Sequence, residues 1–419
     1  MTRSLPLQER RPDATAALVV SGGGARGAYE AGVLKFLYGP LAQRLGFVPR
    51  IDIFAGTSVG AVHACFLAGH AHDLPRAANE LVDIWRNMSF GSVYEFGFSD
   101  MLGFSRTLLG SALGSSTESR ANADRIHGLL NTLPLEKLVV QQIPWRQLRR
   151  NIRHGPVETL CVSATEIATG RSVSFVDNRA RSVPSWTRDP QQIAIPVRIG
   201  PGHTLASAAI PFLFPAVRLR DTYYCDGGLR QYTPLTPALR LGANRVLVIG
   251  LRYADATKLD DPVASERLEQ FRSVGYLAGK ILNALLIDRL EYDVAHMRVL
   301  NQVLEAGIHE YGEDHLEHLN PRVETVRGMG FRVVRDAFVK PSQDIAGIAA
   351  RQVRRMRDGR TRWRLGDLAF RALTSGSPED EADLMSFLLF DGDYAADLIE
   401  LGMCDAQAHE EDLARLFVD

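Results

Sequence analysis

What this chain lacks limits its identity before anything it contains does. No apolar run approaches the roughly 20 residues needed to cross a bilayer, so no membrane-spanning helix is expected. The opening stretch MTRSLPLQERRPDATAALVV carries charges but lacks the uninterrupted apolar core of a secretory signal, and a cytoplasmic location is expected. Cysteine is scarce. Cys65, Cys161, Cys225 and Cys404 are scattered, without a C-x-x-C pair, which argues for small buried apolar groups and against a disulfide framework or a zinc site. An excess of either charge is also missing. With 48 basic and 49 acidic side chains there is no overall field to recruit nucleic acid or an anionic membrane, so any such contact must come from a local patch. No internal repeat is visible.

What is present suits a globular protein: 46% hydrophobic and 23% charged residues, which allow a sizeable buried core. TAALVVSG (15–22) is a short apolar run ending in glycine, as a strand buried in a parallel sheet would be, and AYEAGVLKFL after it has helical spacing. IDIFAG (51–56) and VGAVHACFLAG (59–69) repeat the strand, turn, helix order. Further strands are expected at VETLCVSAT (157–165), RSVSFV (171–176) and NRVLVIGL (244–251). The alternation predicts a mainly parallel sheet with helices on both faces. Beyond about residue 262 the pattern changes. Apolar residues from Phe271 to Met297 recur at steps of three and four, predicting one long amphipathic helix over 263–305, and the remainder also reads as helices with loops. DATKLDDP (255–262) is the best candidate boundary.

Within SGGGARGAYEAG (21–32), Gly22, Gly24 and Gly27 match G-x-G-x-x-G after a strand and before a helix, the context of a dinucleotide loop. That fingerprint also needs an acid at the end of the second strand to hold ribose. Here Asp52 opens that strand, and its end carries Gly56, Thr57 and Ser58 instead. GTSVG (56–60) has the form G-x-S-x-G between a buried strand and an apolar helix. A serine on such a sharp elbow needs very small residues two positions either side, which Gly56 and Gly60 supply. A helix N-terminus capped by serine or threonine is the plain alternative. Successive strands of a doubly wound sheet end at one edge, so the glycine loop and Ser58 should meet there, with glycine amides able to hold an oxyanion.

Four blocks in this order resemble the patatin-like phospholipase family: SGGGARGAYEAGVL (21–34), GTSVGA (56–61), ASAAIPFLFP (206–215) and DGGLRQYTP (226–234). The resemblance covers roughly residues 15–251. It implies a three-layer α/β/α sandwich, hydrolysis of lipid acyl esters, Ser58 as nucleophile, Asp226 as its catalytic partner, and an oxyanion hole at Gly22, Gly23 and Gly24 with Arg26 in the same loop. It implies no cofactor and no metal. The chain then divides into a flexible N-terminus (1–14), a catalytic α/β domain (15–255) and a mostly helical C-terminal region (262–419) that packs on or caps it. There are departures: many members carry Asp where this chain has Ser21, and an asparagine-rich stretch where it has Leu229, Arg230, Gln231 and Tyr232. Both changes are expected at the rim of the site.

A carboxylate with an ordinary pKa of about 3.9 is a weak base, so the dyad predicts partial desolvation of Asp226 and a large share of the rate carried by the oxyanion loop. A Ser-His-Asp hydrolase would draw its histidine from His296, His309, His315 or His318, all in the helical remainder; His203 is expected to cap the helix carrying Ala206 to Ala209. A lipid-binding module that kept the fold and lost catalysis is the competing class. HEYGEDHLEH (309–318) lacks the H-E-x-x-H spacing of a metal helix. Two segments bear on peripheral membrane contact and lipid access. Residues 90–116 mix aromatic, aliphatic, Gly and Ser residues as a mobile cap or a packed irregular segment would, and RQVRRMRDGRTRWRLGD (351–367) could bind anionic headgroups or serve as a solvated face. Nucleic acid is not an expected partner.

Overall fold

A computed structural model describes residues 5–94, 130–187, 189–230, 234–253, 274–286, 290–358 and 382–418. The first two expected strands form as β1 (Ala16–Val20) and β2 (Ile53–Thr57), paired in parallel with Val20 beside Gly56. Leu18, Val20 and Phe54 enter one core, while Ala17, Val19, Ile53 and Ala55 enter another on the opposite face. Burial on both faces explains why neither strand shows polar alternation.

β3 (Thr159–Glu166) and β4 (Ser172–Asn178) follow, and β5 (Gln192–Pro196) is a half-exposed edge. β6 (Val217–Leu219) and β7 (Thr222–Asp226) form a hairpin whose second strand joins the end of β3 antiparallel. With β8 (Arg245–Ile249) and β9 (Arg335–Val339) the sheet runs β5-β4-β3-β2-β1-β8-β9. The ladders on both sides of β1, out to β3 and to β9, are parallel, and β3–β4 is antiparallel.

Helices α1 (Gly27–Phe36), α2 (Val59–Gly69) and α3 (Leu74–Arg86) cover one face. α4 (Pro201–Ser207) supports the far end of β3, and α5 (Leu235–Arg240) packs on the opposite face. The run expected as one helix over 263–305 is described as α6 (Val274–Leu286) and α7 (Leu290–Tyr311), so helicity continues past 305; 263–273 and 287–289 lie outside the described residues. α8 (His315–Arg327), α9 (Ile345–Arg357), α10 (Ala382–Leu388) and α11 (Gly392–Ala408) complete the labelled helices, and 410–418 is helical too. The reading of this remainder as helices with loops needs one correction. β9 lies inside it and extends the sheet beside β8, burying Ala337 and Val339.

α1 and α11 approach so closely that a Cβ on Gly32 or Gly402 would strike the backbone of the facing helix. Cys65, Cys161 and Cys225 are buried as expected, but Cys404, on α11, is exposed. DATKLDDP, residues 95–116 and residues 359–367 fall outside the described residues, as do Gln231 and Tyr232. Among the described residues no helix is long and apolar enough to cross a membrane.

Candidate active site

β1 and β2 end side by side, so the turns after them share one edge of the sheet. Ser58 joins β2 to α2 with φ 56° and ψ −127°. A residue with a side chain holds such a backbone at a cost of about 1–3 kcal/mol, and only where its surroundings insist on it. They do here. The Ser58 amide donates to Ser207 Oγ at 2.9 Å, and Ser207 Oγ donates to the Ser163 carbonyl at 2.5 Å. A Cβ on Gly56 would strike the Gly60 carbonyl, and one on Gly60 the Val20 carbonyl. This crowding is why the turn needs glycine on both sides of the serine.

The glycine loop rises beside it. A Cβ on Gly22 would lie 2.8 Å from Ser58 Cβ and 3.6 Å from its Oγ. Gly24 has φ 56° and opens a short 3-10 turn, Gly24–Arg26, that runs into α1. The backbone of Gly22 to Gly24 therefore lies at the positive end of a helix, with Gly22 against the serine, Gly23 against Leu251 and Gly24 against the Phe387 backbone. Arg26 is buried, with its guanidinium turned toward α10. Nε donates to Ser386 Oγ at 2.8 Å, the guanidinium carbon lies 4.2 Å from the Phe387 ring centre, and a terminal nitrogen is 3.8 Å from the Asp383 carboxylate. The Arg26 side chain thus clasps α10 over the loop.

Asp226 closes β7 opposite Ala164. Its amide donates to the Ala209 carbonyl at 2.9 Å, and the Thr165 hydroxyl donates to its carbonyl at 2.9 Å. The segment ASAAI therefore fixes both candidate groups, with Ser207 taking the Ser58 amide and Ala209 the Asp226 amide. The carboxylate is fully buried and Ser58 is 2% exposed. Asp226 Oδ1 accepts from the Gly228 amide at 2.8 Å. Burial pushes the Asp226 pKa up to about 6, against the opposing pull of the Ser58 hydroxyl and the Gly228 amide. The serine's approach falls short of a formed hydrogen bond, because Oδ2 has no partner among the described residues. Ser58 and Asp226 are side-chain neighbours, with no hydrogen bond formed at Asp226 Oδ2 among the described residues.

The residues that sequence reading missed lie behind the loop. Ser21, expected at the rim, is 4% exposed and points inward: its hydroxyl donates to the Ile249 carbonyl at 2.7 Å and its amide donates to Glu30 at 3.0 Å. Glu30 in turn meets His63, and His63 meets Trp85. The available signal was one acid and one histidine, Glu30 sharing its helix only with Lys35 among charged residues and His63 alone in an otherwise apolar one. Of the other departures, Leu229 ends the turn after Asp226, and the Arg230 guanidinium lies beside Gly170. His203 accepts from the Gly200 amide at 3.2 Å and so caps α4 as expected. In the helical remainder, His296 stacks on Tyr292, His315 on Tyr311, and His318 lies 3.6 Å from the Asp314 carboxylate.

A family model for patatin-like phospholipases matches residues 18–239, more than half of the chain. The chain belongs to this family, and it is a lipid ester hydrolase. No curated protein matches it. Among solved structures it is similar to VipD from Legionella pneumophila (14% identity, 100% of this chain and 97% of that one, TM-score 0.30). It is also similar to ExoU from Pseudomonas aeruginosa, solved in complex with SpcU (17% identity, 63% and 48%, TM-score 0.26), so the match takes in about half of that protein's length. A third is human GIVD cytosolic phospholipase A2 (13% identity, 96% and 61%, TM-score 0.30). At these scores the likenesses carry no argument about the site.

Proposed function

We propose that this chain is a phospholipase A or lysophospholipase that works through a Ser58–Asp226 dyad and an oxyanion hole formed by the Gly22, Gly23 and Gly24 loop. One observation carries the reading: a fully buried carboxylate with its pKa pushed up to about 6 keeps one oxygen without a hydrogen-bond partner among the described residues, and the Ser58 hydroxyl is its side-chain neighbour. An oxygen left this way costs stability, and a proton arriving from serine would satisfy it.

The steps balance. Ser58 Oγ attacks the acyl carbon and its proton passes to Asp226 Oδ2, while the loop amides hold the oxyanion. The ester C–O bond breaks, and the leaving alcohol or lysophospholipid takes the proton from Asp226. Water then attacks the acyl-enzyme, giving its proton to Asp226, and Ser58 recovers it as the fatty acid departs. A histidine relay finds no support near the serine. His63 is five residues away in sequence, but both its ring nitrogens are engaged, by Glu30 and by Trp85. The substrate would be met at a lipid surface through peripheral contact by a protein acting in the cytoplasm. The C-terminal helices from residue 262 would cap the catalytic domain of residues 15–255, an arrangement favoured by the packing of α10 on the Arg26 loop.

A fluorophosphonate probe followed by peptide mapping tests this. Modification is expected at Ser58, absent in Ser58→Ala, together with release of fatty acid and lysophospholipid from mixed phospholipid vesicles by the wild type alone. Modification elsewhere, or normal turnover by Ser58→Ala, overturns the assignment.

A further inference from the structure

The strongest unassigned feature is a chain of four buried groups behind the glycine loop. Trp85 Nε1 on α3 donates to His63 Nε2 on α2 at 3.0 Å. His63 Nδ1 lies 2.6 Å from Glu30 Oε2 on α1, and Glu30 Oε1 accepts the Ser21 amide at 3.0 Å. Exposure is 3% or less for Trp85, His63 and Glu30 and 4% for Ser21.

Donor and acceptor polarity in this chain is forced from one end. An indole nitrogen can only donate, so His63 Nε2 carries no proton. One ring nitrogen of an imidazole must carry one, so it sits on Nδ1, and His63 is neutral. Nδ1–H then donates to Glu30 Oε2 while the Ser21 amide donates to Oε1, so both oxygens of Glu30 accept; a protonated carboxyl would need an acceptor for its own O–H, and among the described residues Glu30 meets only these two donors, so the side chain is a carboxylate. Its charge is buried in the first turn of α1, where the helix dipole favours an anion. Burial holds the Glu30 pKa above its ordinary value, and the bonds from His63 and Ser21 offset part of that rise.

A buried anion is costly to keep, and this one grips both halves of the site. It holds the amide of Ser21, the residue before Gly22, whose hydroxyl is already pinned to Ile249. Through His63 it also holds α2, the helix that Ser58 begins. We propose that Glu30 is a positioning residue that fixes the glycine loop relative to Ser58, with Trp85 setting the polarity that makes a carboxylate obligatory there. Glu30 acts through Ser21 and His63 and touches no substrate. The inference rests on the Ser58 reading.

Changing the donor and acceptor pattern at Glu30 tests this. In Glu30→Gln the side chain has one acceptor and one amide donor, so either Ser21 N–H or His63 Nδ1–H faces a donor. The kcat for a short-chain fluorogenic ester is expected to fall about 10- to 100-fold with KM within about twofold, since small misplacements of reacting groups cost rates of this order. Adding Trp85→Phe removes the indole donor. His63 can then move its proton to Nε2 and accept from Gln at Nδ1, while the Gln oxygen accepts from Ser21. Glu30→Gln/Trp85→Phe is therefore expected to recover to within about threefold of Trp85→Phe alone, a rescue that independent packing defects would not give. Nitrogen NMR of labelled His63 should report the Nδ1–H tautomer in wild type and Nε2–H in the double variant.

Should Glu30→Gln alone fail to fold, the double variant decides: folded with the kcat of Trp85→Phe it supports the proposal, and unfolded or still slow it overturns it. Unchanged kcat in Glu30→Gln, additive losses in the double variant, or the Nε2–H tautomer in wild type overturns it equally. A wild type that the fluorophosphonate does not label at Ser58 is a different failure. It sinks the dyad, while the tautomer measurement still judges the network.

Discussion

Asp226 and Glu30 are both fully buried acidic side chains, and their surroundings treat them in opposite ways. Glu30 has both oxygens saturated, one by the Ser21 amide and one by His63. Asp226 has Oδ1 bound to the Gly228 amide and Oδ2 bound to nothing among the described residues. A saturated buried anion is a structural tie, because any change of protonation would break a bond. One left half-satisfied, with a raised pKa, is poised to take up a proton. The two differ in what the surrounding helices and strands have left undone, and substitution should separate them.

The largest separation is expected from Asp226→Asn. Removing a general base typically costs about 10² to 10⁴ in rate, and in the proposed dyad no histidine shares the task, so kcat/KM for a lipid ester should fall at least about 10³-fold. Stability should stay level or rise, because the buried charge disappears while the Gly228 contact can be kept by the amide oxygen. Thermal unfolding beside the kinetics checks both halves. At Glu30 the expected pattern is reversed, with stability and moderate rate lost together. Next in size is Gly22→Ala. Its new Cβ would meet Ser58 Cβ at 2.8 Å, a clash that moves the proposed nucleophile and the loop apart. A fall of about 100-fold in kcat is expected, with little change in the unfolding midpoint. Wild-type kinetics in this variant would show that the loop does not need to touch the serine.

How much of this could be read in advance follows from how local each feature is. The elbow was legible because most of its causes sit within five residues: a buried strand to Thr57, a helix from Val59, and Gly56 forced by the Gly60 carbonyl; only the need for glycine at 60 comes from outside, from the Val20 carbonyl of β1. β9 was not, because RDAFV gains its strand character from β8, some 90 residues earlier, and is surrounded by helical sequence. The roles of Ser207 and Ala209 were visible only as a family block; it takes the fold to bring one to the Ser58 amide and the other to the Asp226 amide. Glu30 and His63 are 33 residues apart on different helices. Each has the look of an isolated polar residue until the helices cross.

A smaller effect follows from pH. In the proposed dyad Asp226 has to be ionised to accept the serine proton, so kcat/KM should fall as pH drops through about 6, approaching tenfold per unit below it. Stability should run the other way. The native state holds this proton up to about pH 6, whereas the unfolded chain releases it near the ordinary value of 3.8. The contribution of Asp226 to stability is therefore fully present below about 3.8 and is lost as pH rises through about 6. Asp226→Asn should flatten that component of denaturant midpoints measured across the window. A profile in which the variant and the wild type remain parallel would deny the raised pKa.

Arg26→Lys should move least and says most about the boundary between the two regions. Family resemblance places Arg26 in the oxyanion loop, and its guanidinium is in contact with Ser386 and the Phe387 ring on α10. Lysine can keep a charge near Asp383, but it loses the planar fork and the stacking over phenylalanine. If the side chain serves mainly as a clasp, the expected loss is about 1–2 kcal/mol of stability, with kcat for a small soluble ester unchanged within about threefold. If it instead serves the oxyanion, the order inverts: kcat falls about 100-fold while the unfolding midpoint hardly moves. The two outcomes differ in which measurement responds, so even this mildest substitution assigns Arg26 to the reacting loop or to the helix that covers it.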